Sequence, residues 1–498
     1  MKKFSRDFVR YTDAGLPILY VDTFEEIKTK DTVRALCKKN NRNVIEWSLS
    51  GACNYTENMA LPKMDLVGTL NLLLEDVDNN FINTTIILQD AHFSLEQPEV
   101  ISVLKMIAQN IISGNFDCTI CIISPLVALP KELENYTTIL EIDSLTEENV
   151  RQLVINFTEY QDIERPEKDL LDKLVTRLKG LSETEIENIL SMAVSEDGML
   201  NYSDLPRVLE QKQQMIKKSG ILEMIHVKES MADIGGLENL KSWLNRKAEV
   251  FKQIKKAQDF GVDIPKGVLI AGMPGCGKSL TAKAVAKAFD VPFLLRLDMG
   301  RLMGKYVGES EANMRRAIKL TEASSPCVLW IDELEKAFAG IGGGGSEVTT
   351  RLFGSFLTWM QEKDSLAFVV ATANKINSLP PELLRKGRFD EIFYVDLPNK
   401  TERKKILEIH IKKRRRNDLS RIDIDKLVGE TEGYCGADLE GVVREGIESA
   451  FVNKKEHIDT ADILQAIKGT HSLSEVMKDS IQEMKKVYTD LKLKGASN

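Results

Sequence analysis

Three stretches carry residues whose types and spacing can do chemistry. In the first, residues 266–279 read KGVLIAGMPGCGKS: an apolar run from Val268 to Ala271 meets a loop with glycines at Gly272, Gly275 and Gly277, then Lys278, Ser279 and the helix-forming series LTAKAVAKAF. Glycines let successive backbone N–H groups turn toward one anion, and the start of a helix adds partial positive charge. In that pattern Lys278 supplies a point charge for the β- and γ-phosphates of a nucleotide, and the Ser279 hydroxyl a ligand for Mg²⁺. A chance match to Gly-x4-Gly-Lys-Ser is the alternative. The strand before it and the helix after it favour a phosphate loop.

The second stretch, residues 327–333 (CVLWIDE), is an apolar strand ending in two carboxylates. Asp332 would join the Mg²⁺ shell and Glu333 would polarise the attacking water; a surface acidic pair is the bland alternative. The third begins at residues 368–374 (FVVATAN), where Asn374 ends another buried strand and could orient that water. Beyond it LRKGRFD places Arg385 and Arg388 three residues apart beside a glycine. Guanidinium groups suit the charge of a transferring phosphoryl, although a lone arginine pair is ordinarily a solvated surface feature.

These groups need strands to deliver them, so the chain reads as α/β, and the first 220 residues repeat the pattern in degraded form. A strand at 18–22 is followed by a helix to about Lys39 and a second strand at 43–47. At one constant offset Lys28 stands against Lys278 and Thr29 against Ser279, but Asp22, Glu25 and Ile27 replace Gly272, Gly275 and Gly277. Side chains, two of them acidic, fill the anion cradle and should repel phosphate. TTIILQDAH then ends in Asp90 with Ala91 where a glutamate is wanted, LPKEL (129–133) repeats LPPEL (379–383), and GLSETEI (180–186) matches GYCGADL (433–439). This implies a duplication whose first copy does not hydrolyse nucleotide. Two unrelated α/β domains are the alternative. A linker is expected near 211–228, where QKQQ and KKSG carry little apolar periodicity.

Composition narrows the classes. The 498 residues are 43% apolar and 29% charged with a net charge of −8, which disfavours broad attraction to nucleic acid or membranes. Charges near the N-terminus have no apolar segment behind them, and nowhere do eighteen uncharged apolar residues run together, so a cytosolic or stromal setting is expected. Seven cysteines do not suggest a disulfide framework, and the lone Cys118-x-x-Cys121 pair reads as buried strand cysteines rather than a metal or redox site.

In order, DIGGL, GMPGCGKS, KYVGESE, VLWIDE, ATAN, LLRKGRFD and GYCGADL make residues 230–470 similar to the AAA family of AAA+ ATPases. LLRKGRFDEIF, FGSFLTWMQE, the length and the degenerate first copy resemble one subgroup, encoded in algal plastid genomes and found in cyanobacteria and other bacteria. The resemblance implies an AAA+ P-loop core, a parallel sheet flanked by helices, with a helical lid. The expected domains are a degenerate AAA-like α/β domain at 1–145, a small helical lid-like domain at 146–220, the ATPase large domain at 221–398, its lid at 399–470 and a C-terminal helix at 471–498.

Carried over residue by residue, the resemblance makes Lys278 and Ser279 Walker A, Asp332 and Glu333 Walker B, and Asn374 sensor 1. Arg385 and Arg388 become arginine fingers acting on a neighbouring subunit's nucleotide. Ile234, Gly235, Pro274, Gly275, Cys276, Gly277 and Leu280 become nucleotide-binding residues, while His410 matches the position that approaches the adenosine and Gly436 and Ala437 the small lid residues that pack by the base. The cofactors implied are ATP and Mg²⁺, and fingers in trans imply a ring, usually a hexamer. Tyr306 and Val307, before Gly308, would line the pore and grip polypeptide; a tyrosine packed in an ordinary loop is the alternative. The stretch 340–347, GIGGGGSE, reads as a flexible loop.

Other parts are missing. No HExxH supports a fused metalloprotease, and no long heptad run precedes the ATPase. Spacing in 472–493 (Val476, Ile481, Met484, Val487, Leu491) predicts a helix packed on the lid or a neighbour, and KKRRR at 412–416 reads as a solvated helix face before a nucleic-acid contact. Three functions stay open: a remodelling ATPase acting on a protein substrate or adaptor, a nucleotide-gated scaffold, and a nucleic-acid-dependent ATPase.

Overall fold

The computed structural model describes residues 2–497 apart from 24, 126, 128, 143–144, 196, 219, 292, 303–308 and 338–346. The chain divides into two compact units, one built on the described residues among 1–149, 182–185 and 306–312, the other on those among 150–181, 186–305 and 313–498.

The first unit contains β1 (Ile18–Asp22), β2 (Asn43–Ser48), β3 (Gly51–Asn54), β4 (Met59–Leu61), β5 (Thr84–Gln89), β6 (Cys118–Ser124) and β7 (Thr137–Glu141). They form a sheet in the order β4-β3-β2-β5-β6-β1-β7. The pairings β2-β5-β6-β1-β7 are parallel, while β2–β3 and β3–β4 run antiparallel. Both faces are covered, so the strands read as continuous apolar runs instead of alternating ones. The pleat divides them: Ile18, Tyr20, Ile120 and Ile122 enter one core, Leu19, Val21, Cys121 and Ile123 the other. Cys118 and Cys121 are buried free thiols on β6, as expected.

The second unit repeats this plan with β8 (Leu222–Ile225), β9 (Gly267–Gly272), β10 (Phe293–Leu297), β11 (Cys327–Ile331), β12 (Ala367–Ala373), β13 (Glu391–Val395) and β14 (Lys494–Gly495). The order is β14-β13-β9-β12-β11-β10-β8, with β8 antiparallel and the rest parallel. The central order β10-β11-β12-β9-β13 is that of β2-β5-β6-β1-β7, strand for strand. Within each of these five-strand orders the strand earliest in sequence, β1 or β9, lies between the two latest, which opens a crevice at its carboxyl end, where ligands bind in open α/β sheets. A separate helical core at 407–467 holds Leu407, Leu427, Leu439, Val443 and Ile463.

Three expectations are corrected. The supposed linker is a helix, Leu205–Lys218, followed by β8, which pairs with β10. Its apolar stripe is interrupted by Lys212, which is nonetheless buried, with Nζ donating to the Lys179 carbonyl at 2.6 Å, so a lysine occupies a core position that the pattern scored as polar. The tail is two helices where one was expected: Leu473–Val476 does meet the lid, with Ser474 N donating to Gly433 O at 3.3 Å and Leu473 N to Asp438 Oδ2 at 3.1 Å, whereas Lys478–Asp490 sends Tyr488 into the sheet's core, stacked on Tyr394 at 3.8 Å, and leaves Leu491 exposed. The third concerns the copies' alignment. The connection from β9 to the helix Lys278–Ala288 spans 273–277, that from β1 to the helix Glu26–Lys39 only 23–25. Lys28 therefore lies within the first turn of its helix, and Glu26 takes the place of Lys278 at the first helical position.

The same comparison moves Asp90. The left-handed residue after β5 is Asp90 (φ 56°) and the one after β11 is Glu333 (φ 51°). Asp90, not Ala91, thus occupies the turn of Glu333, and Gln89 that of Asp332. Burial and then the Asp90 charge raise the Glu26 carboxyl above its ordinary range. Lys28 is ion-paired to Glu183 instead of being open to a phosphate. Within this unit the cradle is shortened and acidic, the opposite of what a polyphosphate needs.

Candidate nucleotide site

β9 is buried from end to end, and its last residue, Gly272, holds φ 150° hard against the Val395 backbone, where a Cβ would meet Val395 C at 2.8 Å. The loop then turns through Gly275 (φ 71°) and Gly277 (φ 88°) into the helix Lys278–Ala288. Nothing lies within 4 Å of a Cβ placed on Gly277, so the loop's concave side is open, and the first N–H groups of the helix have no acceptors in their own helix. That is the form of an anion cradle.

Lys278 is 6% exposed, and its Nζ donates back to the carbonyls of Gly272 and Met273 at 2.8 and 2.7 Å. Burial pushes its ammonium down to about 8, with Cys276 and the carboxylates of Glu335, Asp332 and Glu333 acting in the other direction.

The β11–β12 register sets Ile331 opposite Ala371, which brings Asp332 beside Thr372. Thr372 Oγ1 donates to Asp332 Oδ1 at 2.5 Å and accepts the Glu333 N–H at 3.1 Å. Ser279 Oγ donates to the same Asp332 oxygen at 3.2 Å. One hydroxyl and one carboxylate, from different elements, thus converge as hard oxygen donors suited to Mg²⁺. Glu333, in its left-handed turn, accepts from Asn374 Nδ2 at 3.3 Å and from Lys336 Nζ at 2.7 Å. Asn374 is in turn held by Glu335, whose Oε1 accepts the Asn374 N–H at 2.9 Å.

A cleft of ≈ 420 Å³ joins these groups to the lid. Pro274, Gly275, Cys276, Gly277, Ser279 and Leu280 line its floor; Ile234, Gly235, His410, Gly436 and Ala437 line its far end with Ile406 and Ile409. The volume suits a nucleotide, with apolar walls for a base and donors for phosphates. Lid and loop touch directly: Ala437 N donates to Gly275 O at 2.9 Å, and a Cβ on Gly275 would lie 2.6 Å from Cys435 Sγ. Small residues are required on both sides. Burial lowers the His410 pKa; Glu440 opposes that and Arg414 adds to it. Glu440 is itself held by Arg414 at 2.6 Å.

The two arginines lie elsewhere. Arg385 is exposed beside a larger cavity of ≈ 1160 Å³ that also touches Lys266, Lys386 and Asp390, and neither Arg385 nor Arg388 lines the cleft of its own chain. Tyr306, Val307 and most of the second glycine-rich stretch fall outside the described residues. Arg414 and Arg415 of the basic run are paired with Glu440 and Asp418. Sequence reading missed Thr372, Glu335 and Glu402. Thr372 had a signal, since it sits two residues before Asn374 on a strand and so shares its face.

The profile of the ATPase family associated with various cellular activities (AAA) matches residues 268–397, and that of its lid domain residues 421–465. Profiles of the N-terminal and second domains of SpoVK-like AAA ATPases match 4–142 and 140–219. The AAA domain-containing protein ycf46 of Guillardia theta is 37% identical over 99% of this chain and 96% of its own length. The chain belongs to the AAA family. A second ycf46 protein of this family, from Pyropia yezoensis, is 34% identical over 99% of both chains. The zinc metalloprotease FtsH of Ralstonia pickettii is 35% identical over 48% of this chain but only 34% of its own. Among the described residues no group of three or more His, Cys, Asp or Glu could hold a metal ion, and no helix is long and apolar enough to cross a membrane. AAA membership carries ATP binding and ATPase activity as general properties, and the plastid-encoded relatives are compatible with a stromal setting.

Proposed function

We propose that the protein is a Mg²⁺-dependent, ATP-hydrolysing AAA+ remodelling ATPase with one working site per chain. The supporting observation is the convergence of Lys278, Ser279, Asp332, Glu333 and Asn374 on one cleft, against the acidic, shortened cradle of the first unit. Bound magnesium would neutralise charge on the β- and γ-phosphates. The chain's own part is to hold that charge and to place water. The backbone N–H groups after Gly275 and the Lys278 ammonium bind the phosphates, and Ser279 and Asp332 present oxygens to the metal. Glu333 takes a proton from water at its carboxylate, oriented by Asn374, and returns it as phosphate leaves.

In this reading subunits form a ring, Arg385 and Arg388 reach the neighbour's γ-phosphate, and Tyr306 and Val307 act on polypeptide. Glu333→Gln is expected to keep ATP binding while turnover drops on the order of 10²- to 10⁴-fold. Full turnover in that variant would sink the assignment. Tyr306→Ala separates threading from a nucleotide-gated scaffold: loss of substrate processing with intact basal ATPase supports threading, and no change supports the scaffold. Turnover indifferent to DNA and RNA would exclude a nucleic-acid-dependent ATPase.

A further inference from the structure

The helix Glu238–Lys252 starts at the wall of the cleft and has no cap of its own. Its N-cap, Leu237, is left-handed (φ 60°) and supplies no side-chain acceptor. The first-turn N–H groups of such a helix need partners from outside it. They find them in a distant part of the chain. β14 extends the sheet along β13, and Ala496 N donates to the Tyr394 carbonyl at 2.8 Å. The Ala496 carbonyl then accepts from Asn239 N at 3.0 Å and Leu240 N at 3.1 Å, the second and third residues of the helix. Asn239 Nδ2 returns a bond to the Ser497 carbonyl at 2.8 Å.

The segment also reaches the cleft through a carboxylate. Ser497 Oγ donates to Glu402 Oε1 at 2.6 Å, and the same oxygen accepts the Leu237 N–H at 3.0 Å. Glu402 lines the cleft with Ile234, Gly235 and Leu237, and Ala496 is buried in one cluster with Ile234, Leu237 and Leu240. Positions 237–240 are therefore held by groups that bond to residues 494–497, and Ile234 and Leu237 share a buried cluster with Ala496. The phosphate-handling groups stand elsewhere, Lys278 at the start of its helix and Asp332 and Glu333 after β11, and none of these bonds touches them.

We infer that residues 494–497 are a positioning element of the nucleotide site, fixing the wall at 234–237 through Ala496 and the Ser497–Glu402 bond. They set affinity and base preference rather than the rate of hydrolysis. The inference rests on the ATPase reading above.

The test uses the full chain with Ser497→Ala or Ser497→Thr, and a chain ending at Leu493. Mg·ATP and Mg·GTP are titrated calorimetrically in the Glu333→Gln background, KM and kcat are measured with Glu333 intact, and amide exchange is followed at Asn239 and Leu240. Ser497→Ala is expected to weaken ATP binding roughly three- to tenfold, the net scale of one ordinary hydrogen bond, to narrow discrimination against GTP, and to leave kcat at saturation unchanged. Ser497→Thr should keep wild-type values. The shortened chain should exchange Asn239 and Leu240 faster and bind ATP more weakly still. Wild-type affinity and base preference in both Ser497→Ala and the shortened chain, or a fall in kcat at constant KM, would overturn the inference. If the intact chain bound neither nucleotide, the ATPase reading would fall and the base-positioning role with it, while unchanged exchange would independently refute the cap.

Discussion

Asn374 Nδ2 lies 3.3 Å from Glu333 Oε1, joining the polar ends of two adjacent parallel strands across the mouth of the cleft. The amide holds a carboxylate that already sits in a left-handed turn and shares its other oxygen with Lys336. Asn374→Ala should leave Glu333 able to accept a proton but poorly aimed. Phosphate release is expected to fall on the order of 10²-fold while ATP affinity stays within about twofold. Equal losses in affinity and turnover would instead make Asn374 a general binding residue.

The buried Lys278 ammonium gives the site a pH dependence of definite sign. Burial lowers its pKa to about 8, below the ordinary lysine value. The unliganded fold is penalised below pH 8, where the buried group must carry charge, and the penalty fades as pH rises through 8 toward the unfolded value. Phosphate favours the charged form, so binding runs the other way: at pH 8 it should draw in roughly half a proton per site, and affinity should weaken by about tenfold between pH 7 and 9. Calorimetry in buffers of different ionisation enthalpy measures that proton directly. Affinity flat from pH 7 to 9 would show that Lys278 is already charged before nucleotide arrives.

The first unit should bind no nucleotide. Glu26 stands at the first helical position, where the ATPase unit has Lys278, with the Asp90 charge acting on it, and Lys28 is committed to Glu183. Equilibrium binding to Glu333→Gln protein should saturate at one ATP per chain, and Lys278→Ala should abolish it. Two nucleotides per chain, or residual binding in Lys278→Ala with the affinity of one site, would show that the acidic cradle is not what it is taken to be.

Much of the site was legible because its parts are local. A phosphate loop must be glycine-rich to turn its amides inward, and strands buried on both faces announce themselves as apolar runs ending in polar residues. What the sequence concealed depends on register. A constant offset paired Lys28 with Lys278, but the first copy has a shorter loop, and only the backbone turn shows that Asp90 stands in for Glu333. Lys212 hid a helix behind a charge, because a buried lysine bonded to a carbonyl looks polar to any periodicity count. Glu402 shows locally only as the capping-box partner of Asn399, and Ser497 not at all; their place at the cleft wall lies in a bond between segments far apart in sequence.

Arg385 and Arg388 yield the sharpest test of assembly. Arg385 is exposed on a cavity away from the cleft, and neither guanidinium lines the site of its own chain. If they serve catalysis, they serve another subunit's, through a heterologous contact that can close a ring. Arg388→Ala chains keep an intact cleft but offer no finger, while Lys278→Ala chains offer the finger but hold no nucleotide. Each alone should be nearly inactive. Mixed in equal amounts before assembly, roughly a quarter of the interfaces would pair an intact cleft with an intact arginine, if neighbours are drawn at random. Turnover should recover to about that fraction of wild type. Mixtures no more active than their parents, with assembly shown intact by light scattering, would count against the shared site and leave the arginines as solvated surface charges.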